Sequence, residues 1–586
     1  MNLHEIVSQL IIDTKGEGAG LFSAPAPGSS IALFYPELLL CATIVLMLLV
    51  RVFDAKQRVN AFYIALAGAL AALVMARPWD LLATEPVIER VEIFTGLLVF
   101  DGLTVFMRSV LALFVVLFLV MTRLTGLPDR EDGPDIYSLV FGATLGMMLM
   151  ASANHLLTVF LAVEMASVPS YVLAGMLKGR KVGSEAALKY SVYGAGAAGV
   201  MLYGISLVAG MLNTVHLPTI AHQLVERWPT FAGEEIMALA LGGLMIAVGL
   251  AFKLSAVPFH FWCPDVFEGA SSEVNAFLSV ASKAGALALL IRVALGFGTL
   301  APATEMATVA DAREASSSAA VVVAADEVSQ VRFVAEVVEE SAEEPLVIGD
   351  GLGPVRGFIA KLVAFFAVVT CTFGNFAAYG QRNIKRLLAY STIAHAGYMM
   401  MAVPPIMALA ELDPVGARAA VGSLAIYIFV YLFMNLGAFA VVAFLRNSMR
   451  SEEIDHYGGL IRKAPVLTVC FALMLFSLIG LPPLAGFIGK LAIFASLTEA
   501  YRETGQTYLV VLLVAGGINT AISLVYYMRV VKVMTIDGEP ESRLPFQVGL
   551  LPVAYTVLLT IPVVGTIVSW DKVNQLALAA AANLLG

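Results

Sequence analysis

The sequence predicts an all-α polytopic membrane protein. Three observations carry this reading. Hydrophobic residues make up 59% of the chain and charged residues only 13%, about half the share that a soluble domain carries. The apolar runs reach or pass the roughly 20 residues that a helix needs to cross a bilayer. They do not alternate apolar and polar positions in short segments, as the strands of a membrane barrel would.

Taken in order, residues 1–31 read as a short tail ending in a Pro/Gly/Ser cluster at Pro25–Ser30. No basic stretch precedes a short apolar core there, so a cleavable signal peptide is not expected. Fourteen spans follow, at 32–52, 60–77, 95–122, 136–153, 155–176, 189–212, 236–260, 272–299, 357–379, 384–404, 419–445, 465–497, 507–531 and 547–570. Loops after odd-numbered spans hold eighteen Lys and Arg, among them Lys178, Arg180, Lys181, Arg446 and Arg450; the other loops and both tails hold about ten. Positive charge favours the cytoplasmic side, so both termini are expected to face away from it.

Residues 301–355 depart from this pattern. They carry eleven acids and two arginines, which accounts for the whole formal net charge of −9. Runs such as SSSAAVVVAADE do not span. The segment reads as an acidic, Ala-rich, non-cytoplasmic insertion, either a tolerated surface excursion or a docking surface. It divides the chain into 32–300, with the first eight spans, and 356–586, with the last six.

Ionisable groups at membrane depth cost about 2.5–3.5 kcal/mol each on insertion scales and usually mark a pathway or a pair. Here they are Glu164, Lys189, Lys253, Lys283, His395 and Lys490. A buried lysine whose ammonium is held by a movable carboxylate can pick up and release a proton, and Glu164 with Lys253 is the preferred pair. The alternative is a static salt bridge that fixes helix packing. Lys189 can instead snorkel towards the basic 178–181 face, and His395 can be a packing histidine. Pro258, and Pro482 with Pro483, interrupt the seventh and twelfth spans. Broken helices at membrane depth are tolerated where protein or a cavity lines them, and two breaks in corresponding halves point to an internal repeat.

Other chemistries find little support. Gly194-Ala-Gly196-Ala-Ala-Gly199 spells a dinucleotide fingerprint, but inside an apolar run with no preceding strand, so close helix packing is the better reading. Cys41, Cys263, Cys371 and Cys470 are too scattered for a disulfide framework or an iron–sulfur site. No metal, haem or flavin motif is present, and no nucleic-acid partner is expected.

The run GLAFKLSAVPFHFWCPDVFEGASSEVNAFLSVASKAG (Gly249–Gly285), with LAVEMASVPSYVLAG, EAALKYSVYGA, GNFAAYGQRNIKRLLAYSTIAHAGYM and GLPPLAGFIGKL, resembles the antiporter-like membrane subunits of respiratory complex I and their relatives in Mrp-type cation/proton antiporters. The resemblance covers residues 32–570 apart from the insertion. Within that superfamily the N branch is the most similar: the twelfth-span residue is a lysine (GFIGK), the eighth-span residue is a lysine (ASKAG), and no long lateral helix follows. The resemblance implies two inverted repeats with broken seventh and twelfth helices. It implies proton translocation driven by quinone reduction elsewhere in the complex. Glu164 and Lys253 would form the primary pair, modulated by Lys189, with Lys283 as the connecting lysine and Lys490 as the terminal one. NADH, FMN, Fe–S clusters and quinone would belong to other subunits. The partners would be an antiporter-like M subunit, K-, J- and A-type neighbours and the lipid of a bacterial inner membrane. The runner-up is an Mrp-type secondary antiporter.

Overall fold

The computed structural model describes residues 11, 12, 14–16, 25, 26, 28–53, 60–83, 88–128, 132–177, 180–300, 351–543 and 545–584. The 301–355 insertion lies outside the described residues except for its last five positions.

The first half consists of α1 (Tyr35–Phe53), α2 (Ala61–Met75), a hairpin of β1 (Val91–Ile93) and β2 (Leu98–Phe100), α3 (Gly102–Thr125), α4 (Gly133–Ser152), α5 (Leu156–Ala174), α6 (Lys181–Leu212), α7 (Leu217–Arg227), α8 (Gly233–Leu254), α9 (Trp262–Gly269) and α10 (Ser272–Gly298). The second consists of α11 (Gly353–Ala378), α12 (Ile384–Met400), α13 (Val403–Leu409), α14 (Pro414–Met449), α15 (Pro465–Ile479), α16 (Ala485–Thr504), α17 (Thr507–Thr535), α18 (Leu550–Gly565) and α19 (Trp570–Ala581). Among the described residues 12 helices are long and apolar enough to cross a membrane, and the bent pair α18–α19 would make a thirteenth.

Four expectations need correction. The span placed at 95–122 starts later: residues 91–100 pair as an antiparallel hairpin, and Asp101 caps α3 by accepting a hydrogen bond from the Thr104 amide at 2.9 Å. The seventh span stops at Leu254, before Pro258, because Ser255 takes a left-handed φ of +58°. The twelfth span is two helices. α15 ends at Ile479, where Gly480 takes φ +90°, and is too short to cross alone. The last span, placed at 547–570, ends at Gly565, and the chain then turns by 84° into α19, which packs on α3 and α14.

α10 is the centre of the molecule. Its apolar stretch is wholly buried, and it touches α3, α4, α5, α7 and α8 of the first half and α11, α12, α13 and α14 of the second. Small residues permit close approach elsewhere. A Cβ at Gly146 of α4 would lie 2.5 Å from the Ala166 amide nitrogen of α5, and one at Gly397 of α12 would lie 2.6 Å from that of Cys371 in α11. Of the three glycines in the apparent dinucleotide motif, Gly194 packs against Tyr171, while Gly196 and Gly199 face open space.

Two buried ion pairs fasten the first half. Arg292 of α10 grips Asp101 at 2.5 and 2.6 Å, and its Nε donates to the Ala151 carbonyl at 2.8 Å. Arg108 of α3 donates to Glu37 of α1 at 2.5 Å and to the Leu33 carbonyl at 2.9 Å. The hairpin is held to the α4–α5 and α6–α7 junctions by Glu92, which accepts from Asn154 at 2.7 Å and lies 3.0 Å from His216 Nε2.

Removing one partner of a buried pair strands the other, at a cost of about 3–5 kcal/mol. Asp101→Ala should therefore sharply lower the yield of folded chain, and Asp101→Leu combined with Arg292→Met should recover much of it. Equal yields for the single and double variants would refute this. Burial pushes the Glu92 carboxyl up, but its contacts with His216 and Asn154 outweigh burial and hold it below the usual carboxylate range. A lowered folded value means that stabilisation is present above the unfolded value of about 4.3 and fades as pH falls through the folded one. Amide exchange in residues 91–100 should accelerate on acidification over that interval, and Glu92→Gln should flatten the response.

Candidate functional site: two helix breaks and their buried lysines

The first break begins one residue after Lys253–Leu254. The left-handed Ser255 turns the chain out of α8, so the last carbonyls of the helix lose their intrahelical partners. Lys283, reaching from α10 and completely buried, supplies the replacement. Its Nζ donates to the Lys253 carbonyl at 3.2 Å and to Ser255 Oγ at 2.5 Å. Trp262 Nε1 donates to the neighbouring Phe252 carbonyl at 3.1 Å, and its ring faces Lys283 Nζ at 5.0 Å. Tyr190 of α6 stacks on that indole at 4.2 Å. An ammonium at a helix C-terminus is favoured by the helix dipole as well as by the free carbonyls.

The second break repeats this chemistry. Gly480 ends α15, and Lys490 of α16, also buried, donates through Nζ to the Leu478 carbonyl at 3.2 Å and the Ile479 carbonyl at 2.8 Å. The Tyr398 ring lies 4.2 Å from that nitrogen. The shared geometry therefore pairs Lys490 with Lys283, whereas sequence spacing alone compares it with Lys253. Pro258, Pro482 and Pro483 follow the points at which the helices have already ended, and lie in the links.

Lys253 is buried and donates to Ser167 Oγ of α5 at 3.0 Å. Glu164, half-buried, sits one turn before Ser167 on the same helix. The structure thus brings the expected pair into one neighbourhood, but Lys253 bonds to Ser167, whose hydroxyl donates to the Val163 carbonyl at 2.6 Å, and no Glu164–Lys253 ion pair lies within 4.0 Å. Lys189 is not in this group. It is about one-third exposed and pairs with Glu185 and Asp265, each at 2.8 Å. Asp265 pairs in turn with Arg386 at 3.0 Å, and Arg386 with Glu268 at 2.6 Å, tying α6 and α9 to α12.

His395 lies in a buried polar cluster. Its Nδ1 is 2.8 Å from Tyr427 OH and its Nε2 is 3.3 Å from Tyr527 OH. Tyr527 also meets Ser391, and Tyr431, which receives a hydrogen bond from Asn435 at 3.0 Å, donates to Thr392 at 3.4 Å. The His395 ring packs 5.9 Å from that of Tyr398, so this cluster adjoins Lys490. The geometry offers proton-carrying groups in two patches, Glu164–Ser167–Lys253–Lys283 and His395–Tyr398–Lys490. The sequence reading missed Ser167, Ser255 and the tyrosines, which as isolated residues in apolar helices give no signal. It also passed over Glu37, Arg108 and Arg292, whose charge within apolar runs was a usable sign.

Among the described residues no group of three or more His, Cys, Asp or Glu is placed to hold a metal, and the four cysteines are free and apart.

The family described as NADH:quinone oxidoreductase/Mrp antiporter, TM, matches residues 153–309 and 349–520, which include every lysine above. NADH-quinone oxidoreductase subunit N of Anaeromyxobacter sp. is 36% identical over 90% of this chain and 91% of its own length. Subunit N 2 of Sorangium cellulosum is 35% identical over 93% and 96%. Among solved structures, a chain of respiratory complex I from Thermus thermophilus is 27% identical, with a TM-score of 0.64 over 92% of this chain and 97% of that one. A chain of the Mrp complex from Dietzia sp. shares the fold, with a TM-score of 0.71 at 17% identity over 95% and 98%. With this level of identity sustained along nearly the whole chain, the protein belongs to the NADH-quinone oxidoreductase subunit N family.

Proposed function

We propose that this chain is a proton-translocating membrane subunit of a bacterial NADH–quinone oxidoreductase, and that its buried lysines carry the protons. The observation that carries this reading is the repeated capping of a broken helix by a lysine ammonium. Each cap is a polar station inside an apolar bundle, and each weakens when its lysine becomes a neutral amine and is lost when the side chain moves away.

In the first half, Lys253 lies in the last turn of α8 and Lys283 caps the Lys253 carbonyl, so both ammonium groups lie at the same helix end. Two ammonium groups in one low-dielectric pocket repel, so a proton arriving on one favours release from the other. Glu164 one turn beyond Ser167 supplies the charge that stabilises Lys253 when it is protonated. Rearrangement at α5 that brings Glu164 to Lys253, or withdraws it, shifts the proton between Lys253 and Lys283. His395 and its tyrosines continue the polar route to Lys490. Lys189 acts from outside, by fixing α9 against α6. The two sequence halves, 32–300 and 356–586, supply one station each.

We assign the redox chemistry with NADH, FMN, Fe–S clusters and quinone to other subunits of the complex, as membership of the subunit N family implies. The partners are the neighbouring M-type and K-, J- and A-type membrane subunits. We take the chain to lie in the bacterial inner membrane, and the Lys/Arg bias of its loops supports an orientation with both termini non-cytoplasmic. The secondary-antiporter reading is weaker, because likeness to the Mrp chain is one of fold.

In the intact complex reconstituted in vesicles, Lys253→Ala, Glu164→Gln and Lys490→Ala should each lower NADH-driven proton pumping about tenfold or more, the scale of losing a proton-transfer group. Lys189→Ala should do less. Normal pumping by an assembled Lys253→Ala/Glu164→Gln complex overturns the proposal. Sodium-dependent transport by the purified chain without NADH would favour the antiporter instead.

A further inference from the structure

A second lysine system lies between the halves, on the face that carries Arg180 and the 446–453 segment. There a polar cavity of about 600 Å³ is lined by Arg180, Asn383, Arg446, Arg450, Ser451 and Glu452, among others. Glu452 forms its inner wall and pairs with Lys385 at 2.9 Å. Lys385 is completely buried, and its Nζ also donates to the Glu268 and Ala270 carbonyls at 2.9 Å each, just before α10 begins. Arg446 lies 3.5 Å from the same Glu452 oxygen. This is a buried cation linked to an open polar cavity through Glu452 on one side and to the carbonyls just before the central helix on the other.

Beyond it, α10 presents a buried polar stripe. Ser272, Asn275, Ser279 and Ser282 recur at intervals of three and four residues, so they share one helix face. Lys283 falls at the end of that face, roughly 17 Å from Ser272 at 1.5 Å per residue. Three atoms of the stripe, Ser272 Oγ, Asn275 Oδ1 and Ser282 Oγ, are buried with no hydrogen-bond partner. Buried polar atoms ordinarily have partners, and water is the group that can supply them in series.

Resting on the proton-carrying role of Lys283 set out above, we infer that the Glu452–Lys385 pair is a proton-loading gate, passing protons from the arginine-lined cavity to Lys283 along the polar face of α10. The transfers balance as follows. The Lys385 ammonium gives a proton to the stripe, and the stripe delivers one to a neutral Lys283 amine. Glu452 takes a proton from a hydronium ion in the cavity, leaving water behind, and hands it to the Lys385 amine, which restores the ion pair. Arg446 stays charged throughout and holds Glu452 in place.

Lys385→Arg separates transport from architecture, because arginine keeps the charge and the ion pair but does not release its proton. In the reconstituted complex, this variant should lower NADH-driven pumping roughly tenfold, like loss of any proton-transfer group, with the complex still assembled. The neutral double variant Lys385→Met/Glu452→Gln should remain impaired, although it leaves no charge stranded. Ser282→Val, which leaves the pair intact, should also reduce pumping, and it serves if the charge variants fail to assemble. Full pumping by Lys385→Arg, by the neutral double variant or by Ser282→Val overturns the gate. Such a result alongside a defective Lys253→Ala complex would leave the broader proton-translocation reading standing, whereas normal pumping by both would remove the two together.

Discussion

A lysine ammonium seated on the open end of a half-helix is the contact on which the membrane interior depends. Ending α8 and α15 inside an apolar bundle strands carbonyls, and each stranded carbonyl costs on the order of several kcal/mol in a medium without water. A buried ammonium is costlier still on its own. Each offsets the other: three donors meet the carbonyls, and the negative end of the helix dipole meets the charge. Neither the break nor the lysine is tolerable without its partner. Because the arrangement depends on the ammonium form, it responds to protonation in a way that a continuous helix cannot.

The aromatic groups around the caps serve the same end. Trp262 satisfies the carbonyl that Lys283 does not reach and offers its ring face to the ammonium. Tyr398 does the latter for Lys490. These rings lend a cation some stabilisation without a counter-charge, which a carboxylate would make too strong to release. The carboxylates stand one step away: Glu164 is separated from Lys253 by Ser167, and Asp265 and Glu268 are occupied by Lys189 and Arg386.

Much of the fold was legible because hydropathy reports helices that face lipid. It failed where other forces set the boundary. The Val91–Phe100 hairpin is as apolar as a span, and only the cap at Asp101 separates it from α3. The breaks were legible through proline, yet the chain leaves the helix earlier, at Gly480, where glycine was a usable sign, and at Ser255, whose left-handed backbone the sequence does not announce. The candidate lysines stood out because a charge in an apolar run is rare. Their partners are backbone carbonyls, serine hydroxyls and ring faces, which every helix contains. For that reason the pairing of Glu164 with Lys253 was read as direct, and Lys189 was drawn inward although its partners lie on α6 and α9.

The burial of α10 has a consequence for inheritance. A helix enclosed by neighbours from both halves, carrying at one point the ammonium that completes α8, cannot be exchanged or replaced one half at a time. A substitution on any facing surface must be matched on the other side of the molecule.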